Sequence, residues 1–381
     1  MDPFLNEEHY IIRKAVRDFA EREIKPLAAE LDEKEEFSPE LTKKMGEMGL
    51  FGMFLPEKYG GHGSDYLSYI IAVEEVARVD GSHAATLAAH NSLGIGPIYN
   101  FGTEEQKLKY LPGLCSGNEL WAFGLTEAEA GSDSRGTKTF VKDLGAMWEI
   151  NGSKIFITNG SNIQTSGVTV QTISAINGEE KEFTCVLVEK GTTGWKSQPM
   201  HGKLMWRASD TSQMFFDNCR VPKENILGER GMGSKIMLKT LDSGRLSIAA
   251  MGLGLAQGAF EMALEYAKAR KQFGKPISKF QINSFKLADM ATKIELARNL
   301  LYKACWLKDN GQPFEKEAAM SKLYCSEIAK QVADEGVQIH GGYGLMKEYP
   351  IERFYRDQRL LQIGEGTSEI QRLVISRYIG C

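Results

Sequence analysis

Apolar residues recur every three or four positions through the first third of the chain and again through its last 150 or so residues. Residues 7–31 predict a helix: Asn6 suits the N-cap, Glu7 and Glu8 suit the positive dipole end, and Ile12, Val16 and Phe19 share one face. A second helix is predicted from Ser38 towards Gly49, with Ser38-Pro39 marking its start. Phe51–Gly61 reads as a glycine-bearing loop, and 65–79, 83–100 and 103–116 as further helices. Near Trp121 the period changes. Met147–Ile150, Lys154–Thr158, Val168–Ile173, Phe183–Val188 and Gln213–Asp217 read as strands, with Asn151-Gly152 and Asn159-Gly160 as turns. Phe183, Cys185 and Leu187 alternate with Thr184, Val186 and Val188, so most positions are apolar on both faces, as in a packed sandwich or barrel. No βαβ rhythm appears, which argues against a Rossmann sheet. From Gly231 onward helices return, over 234–269, 281–309, 314–340 and 368–379. Leu287, Met290, Ile294, Ala297, Leu301 and Cys305 form an amphipathic stripe that Asn310-Gly311 ends. Four long helices in succession predict a bundle. The expected fold class is therefore α+β multidomain: an N-terminal helical domain (1–120), a small central β domain (121–229) and a C-terminal four-helix bundle (230–381).

Composition narrows the function. The 381 residues are 42% hydrophobic and 25% charged, with net charge −4 and both signs dispersed. That gives room for large cores and excludes a basic nucleic-acid surface. No apolar run approaches the roughly 20 residues of a bilayer span, so no membrane insertion is expected. Met1-Asp2-Pro3-Phe4-Leu5 carries no basic or Arg/Ser-rich leader, so the chain as given reads as cytoplasmic or as a trimmed mitochondrial matrix form. The six cysteines are scattered and read as buried thiols of a reducing compartment; the six histidines are equally dispersed, so no metal centre is expected. Gly252-x-Gly254 lies inside a helical run with no strand before it, a weak nicotinamide signal, and no Walker loop or Gly-x-Ser-x-Gly elbow occurs.

Chemistry concentrates near the C-terminus. In Gln362-Ile363-Gly364-Glu365-Gly366-Thr367-Ser368-Glu369-Ile370-Gln371-Arg372 a glutamate stands between two glycines, just before a helical stretch. Read locally, this is first of all a capped helix start, with Thr367 or Ser368 as N-cap. It also places a bare carboxylate beside free backbone N–H groups and a positive dipole end. Together with Tyr355-Arg356-Asp357, the stretch resembles the C-terminal signature of the acyl-CoA dehydrogenase flavoenzymes, and the α–β–α order extends that resemblance over essentially the whole chain. The pattern is most similar to the short- and medium-chain, butyryl-CoA dehydrogenase-like members. The resemblance implies FAD as cofactor and Glu365 as catalytic base, with Thr367 and Glu369 near the flavin and Gly366 near the substrate.

Further motifs agree. Phe123 to Asp133 resembles the family's first flavin motif, Leu-Thr-Glu-Pro-x-x-Gly-Ser-Asp, with Ala128 where proline is usual. It implies that Phe123, Leu125 and Gly131 line the flavin. Thr126 would meet the pyrimidine edge, and Ser132 both the flavin and the CoA pantetheine. Phe156-Ile157-Thr158-Asn159-Gly160 resembles Trp-Ile-Thr-Asn-Gly, implying that Phe156 covers the flavin and Thr158 bonds near N5 or O4. Asp242-Ser243-Gly244-Arg245, read as opening a helix, implies CoA contacts for Asp242 and Arg245, although an i,i+3 surface ion pair is the plainer reading. Arg270, Phe273 and Gln281, with Gln338-Ile339-His340-Gly341-Gly342, resemble runs that meet the ADP half of a neighbouring subunit's flavin; His340 itself reads as a structural loop residue. A homo-oligomer, a tetramer built as a dimer of dimers, is implied.

The implied reaction is α,β-dehydrogenation of an acyl-CoA to a trans-2-enoyl-CoA. Glu365 takes the α-proton, flavin N5 takes the β-hydride, and electrons pass to electron-transferring flavoprotein. Gly364 stands where short- and medium-chain members carry Tyr, which leaves branched or cyclic acyl groups open as substrates. Residues 82–97 contain no Arg or Lys, with Ala84 at the place of the glutaryl-CoA enzymes' arginine, which disfavours dicarboxylic substrates. An O2-using relative, either an acyl-CoA oxidase or a flavin monooxygenase, is the alternative, with a flavin-free binding module beyond it.

Overall fold

The computed structural model describes residues 3–177 and 180–381; Met1 and Asp2 of the leader reading lie outside them. Seven helices lead: α1 (Glu7–Phe19), α2 (Lys25–Lys34), α3 (Pro39–Glu47), α4 (Tyr66–Ala77), α5 (Gly81–Ala89), α6 (Gly96–Phe101) and α7 (Glu104–Cys115). Asn6 caps α1, its side chain accepting from His9 N at 3.0 Å, and Ser38 caps α3. Two predicted helices, 7–31 and 83–100, contain π-helical turns at Ala20–Ile24 and His90–Ile95. Each π turn ends just before a proline, Pro26 or Pro97, whose missing N–H removes an intrahelical bond.

The β region has eight strands in one sheet: β1 (Leu120–Gly124), β2 (Phe140–Asp143), β3 (Met147–Thr158), β4 (Thr165–Asn177), β5 (Glu180–Glu189), β6 (Trp195–Pro199), β7 (Thr211–Pro222) and β8 (Ile226–Leu227). The order is β6-β7-β3-β2-β4-β5-β8, and β1 runs parallel to β4. The alternation on β5 divides two cores. Val186 and Val188 face a β core with Trp148, Ile150 and Phe216, while Cys185 and Leu187 join the helical core. Asn151-Gly152 is not the expected turn. It lies within β3, where Asn151 pairs with Phe140 and Gly152, at φ 146°, marks a register shift against β7. Ladder pairing on both sides outweighs the local turn preference, and glycine absorbs the bulge. Asn159-Gly160 does end the strand, Asn159 being left-handed at φ 61°.

The C-terminal part comprises α8 (Gly233–Ala269), a hairpin of β9 (Lys271–Gln272) and β10 (Lys275–Pro276), α9 (Gln281–Asp309), α10 (Glu315–His340), α11 (Ile351–Asp357) and α12 (Ser368–Tyr378). The predicted stripe on α9 is buried throughout, and each such large apolar side chain contributes about 1.5–3 kcal/mol. Gly254 serves packing: a Cβ there would lie 2.2 Å from the Glu74 carbonyl of α4. Asp242–Arg245 sits in the third and fourth turns of α8, not at its start, and His340 is the last residue of α10. By length and composition α8 contains a window apolar enough to cross a membrane, but 78% of that window is buried inside the fold, as in a core helix. Five cysteines are buried as expected; Cys381 is exposed. No metal-holding group of His, Cys, Asp and Glu occurs among the described residues.

Candidate active site

Glu365 occupies a tight loop between the 3₁₀ turn Gln358–Gln362 and α12, with φ 51° at Glu365 and 91° at Gly366. Thr367 caps α12, its Oγ1 accepting from Ile370 N at 3.3 Å. The loop is held from behind. Gln371 Nε2 donates to the carbonyls of Glu365 (3.3 Å) and Gly366 (2.9 Å), and Lys322 Nζ of α10 donates to the Gly366 carbonyl (2.7 Å). One carboxylate oxygen is enclosed: Oε2 is buried with no hydrogen-bond partner among the described residues. It lies against the bare backbone of α8, where a Cβ on Gly244 would be 1.9 Å from Oε2. Burial pushes the Glu365 carboxyl up to about 7, while the charges of Lys322 and Arg245 pull the other way. Gly364 has a packing role as well, since a Cβ there would lie 3.2 Å from Leu360 Cδ2.

The neighbouring carboxylates are arranged differently. Glu369 is exposed, and its backbone and Thr367 hydrogen bonds hold it below the usual range. Glu129 is exposed and pairs with Lys138. Glu127 is buried but saturated: it accepts from Lys138 N (2.7 Å), Thr139 N (3.0 Å) and Lys154 Nζ (2.8 Å). Burial works against its charge, yet Lys154 and these bonds hold it below the ordinary carboxylate value.

Glu127 thereby shapes the loop carrying Leu125, Thr126, Gly131 and Ser132, which follows Phe123 at the end of β1. Lys154 also donates to the Leu125 carbonyl (3.1 Å), and Ile155 N to that of Thr126 (2.9 Å), which bonds the loop to β3. Gly131 and Ser132 are exposed. Two residues along β3 from Lys154, Phe156 turns left-handed at φ 60° and leaves its ring 63% exposed; Thr158 ends the strand opposite Thr211. An outward aromatic on a strained strand position beside this loop is a fitting wall for a flat ring. Asp242 and Arg245 form an ion pair (2.6 Å) near Glu365, and Arg245 Nε is buried without a hydrogen-bond partner among the described residues.

A second group gathers elsewhere. Arg270, Gly341 and Gly342 line a cavity of about 460 Å³ with Tyr266, His340 and Tyr343. Phe273 projects from the tip of the β9–β10 hairpin, 93% exposed, and Gln281 at the start of α9 and Gln338 near the end of α10 are exposed as well. Arg270 ends α8 whereas Gly244 lies against the Glu365 carboxylate, so the two groups are roughly 39 Å apart along that helix. A further cavity of about 320 Å³, between the β sheet and α8, is lined by Arg135, Gln171, Phe183, Met237, Leu238 and Arg377, among others. Sequence reasoning passed over these residues. The cation in the Gly131–Arg135 loop was a usable signal for Arg135; Arg377, on α12, carried none. Tyr355-Arg356-Asp357 does not join Glu365. Arg356 pairs with Asp32 (2.7 Å) and Glu352 (2.8 Å), and buried Asp357 accepts from Trp206 N (2.8 Å).

Fold and site together place a buried carboxylate on the loop before α12, in a chain of helical, β and helical parts. The models for the acyl-CoA dehydrogenase N-terminal, middle and C-terminal domains match residues 6–118, 122–219 and 231–380. The short-chain specific acyl-CoA dehydrogenase of Clostridium acetobutylicum is 47% identical, over 99% of each chain. The structure of butyryl-CoA dehydrogenase from Megasphaera elsdenii superposes with TM-score 0.96 at 43% identity, covering 100% of both chains. A chain in the structure reported for the electron transferring flavoprotein of Acidaminococcus fermentans gives the same values. The chain belongs to the acyl-CoA dehydrogenase family, whose members use FAD.

Proposed function

We propose that this chain dehydrogenates short, uncharged acyl-CoA thioesters between Cα and Cβ, with Glu365 as base. One observation carries the assignment: among Glu127, Glu129, Glu365 and Glu369, only Glu365 has a buried oxygen without a partner and a carboxyl raised to about 7. A base poised near working pH suits a weakly acidic α-hydrogen. The α-proton goes to Glu365, the Cα–H electron pair becomes the new double bond, and the β-hydrogen leaves with its pair. Bound FAD supplies the hydride acceptor and hence the oxidising power. The loop N–H groups before α12 favour the charge developing on the thioester oxygen. Phe156 and Thr158, with Thr126 and Ser132, would hold the ring. Arg135 and Arg377 in the 320 Å³ cavity, and separately Arg245, offer cations to the CoA phosphates.

Arg270 and the Gln338–Gly342 run lie too far along α8 from Glu365 for one flavin to meet both in one chain. We therefore read them, with exposed Phe273 and Gln281, as reaching the flavin of a second copy in a homo-oligomer, a tetramer. A bacterial or mitochondrial matrix setting and electron transferring flavoprotein as acceptor accord with the relatives. The test compares butyryl-, hexanoyl- and glutaryl-CoA by kcat/KM with an artificial acceptor. Glutaryl-CoA is expected to be at least tenfold poorer, because 82–97 has no cation for a buried carboxylate. A glutaryl-CoA value equal to the best would overturn the proposal.

A further inference from the structure

We propose that Lys322 is a positioning residue for Glu365, pinning the loop that carries the base and supplying a positive charge beside it. This rests on Glu365 being the base. Lys322 is wholly buried on α10, and its ammonium reaches 44 residues along the chain to the Gly366 carbonyl at 2.7 Å. Gln371 already donates to that same carbonyl at 2.9 Å, so a neutral donor serves the loop's geometry. A buried ammonium is costly unless its charge is used. Lys322 forms no ion pair among the described residues, unlike buried Lys154, which is spent on Glu127 at 2.8 Å. Its field therefore falls on the unpartnered carboxylate. The other groups around the pair are Arg245 and its partner Asp242 on α8 and Tyr66 and Tyr69 on α4, near the carboxylate, with Glu327 on α10 and Glu369 on α12 acting on Lys322. The tyrosines stay neutral, Asp242 offsets Arg245, and Lys322 is the unpaired cation of the set. Burial brings Lys322 down to about 8, with the charge of Glu365 opposing the fall, so the two groups support each other's ionised forms.

The measurement is kcat/KM for butyryl-CoA from pH 5.5 to 9 in the FAD-loaded parent, Lys322→Met, Lys322→Arg and Glu365→Gln proteins. Lys322→Met removes the cation at similar bulk. Its ascending limb is expected to move to higher pH, giving about a tenfold loss at pH 6 that closes towards the parent by pH 9. Lys322→Arg keeps the cation and is expected to keep the parent's limb. A uniform loss at every pH, or an unmoved limb in Lys322→Met, overturns the inference. If Lys322→Met does not hold FAD, the arginine variant decides, and a displaced limb there overturns it. An active Glu365→Gln protein sinks the base assignment itself; an inactive one beside an unmoved Lys322→Met limb sinks only the role of Lys322.

Discussion

Glu127 and Glu365 each sit on a loop backed by a wholly buried lysine, but the two carboxylates have opposite surroundings. Glu127 receives two backbone N–H groups and Lys154, so its charge is neutralised and the Leu125–Glu127 turn is fastened to β3. At the other loop Lys322 bonds a carbonyl rather than the carboxylate, and Glu365 Oε2 is left bare against Gly244. A satisfied buried carboxylate holds a shape; an unsatisfied one is ready to take a proton.

Breaking the satisfied pair should cost the most stability. Glu127→Ala leaves Lys154 buried without its partner, a loss of about 3–5 kcal/mol, read as a lower denaturant midpoint. Glu365→Gln, which removes an unpartnered charge, is expected to keep the parent's midpoint at pH 8 or exceed it. Equal losses from the two substitutions would erase the distinction. The pH dependences should diverge next. Folding raises the Glu365 carboxyl from 4.5 to about 7, so the folded state binds this proton more tightly. Its contribution to stability therefore declines as pH rises from about 4.5 to about 7. Glu127 is held below its ordinary value, so its contribution is present above that range and is lost in acid. Activity follows Glu365: kcat/KM should rise about tenfold per pH unit up to about 7 and then level. A flat profile from pH 5.5 to 8 would contradict the raised carboxyl. Gly244→Ala should have the smallest effect. The atom its Cβ meets is the free end of a flexible side chain, so kcat should fall by less than tenfold, with no loss in melting temperature because alanine favours the helix.

Local signals were legible where local physics decides. The caps at Asn6, Ser38 and Thr367 and the limits of α9, Gln281–Asp309, follow from side chains within a few positions of each other. Asn151-Gly152 misled because the competing force, pairing with Phe140 and β7, comes from other strands. The short strands β2 and β6 are largely exposed and carry little apolar alternation to read. The candidate base was visible as a motif, but the lysines behind both loops were not. Lys154 and Glu127 are 27 residues apart, Lys322 and Gly366 44, and nothing in a local pattern links them. The 320 Å³ cavity likewise assembles residues from the β sheet, α8 and α12 that only the fold brings together.

The central claim is that Glu365, and no neighbouring carboxylate, removes the α-proton. Anaerobic stopped-flow bleaching of the flavin by butyryl-CoA tests it in Glu365→Gln and Glu369→Gln side by side. Gln is nearly isosteric with Glu, so FAD content and acyl-CoA affinity should hold in both. The Glu365 variant should bleach at least about 10²–10⁴-fold more slowly than the parent, and the Glu369 variant at close to the parent's rate. A Glu365→Gln protein that bleaches within tenfold of the parent, while Glu369→Gln does not, would contradict the assignment.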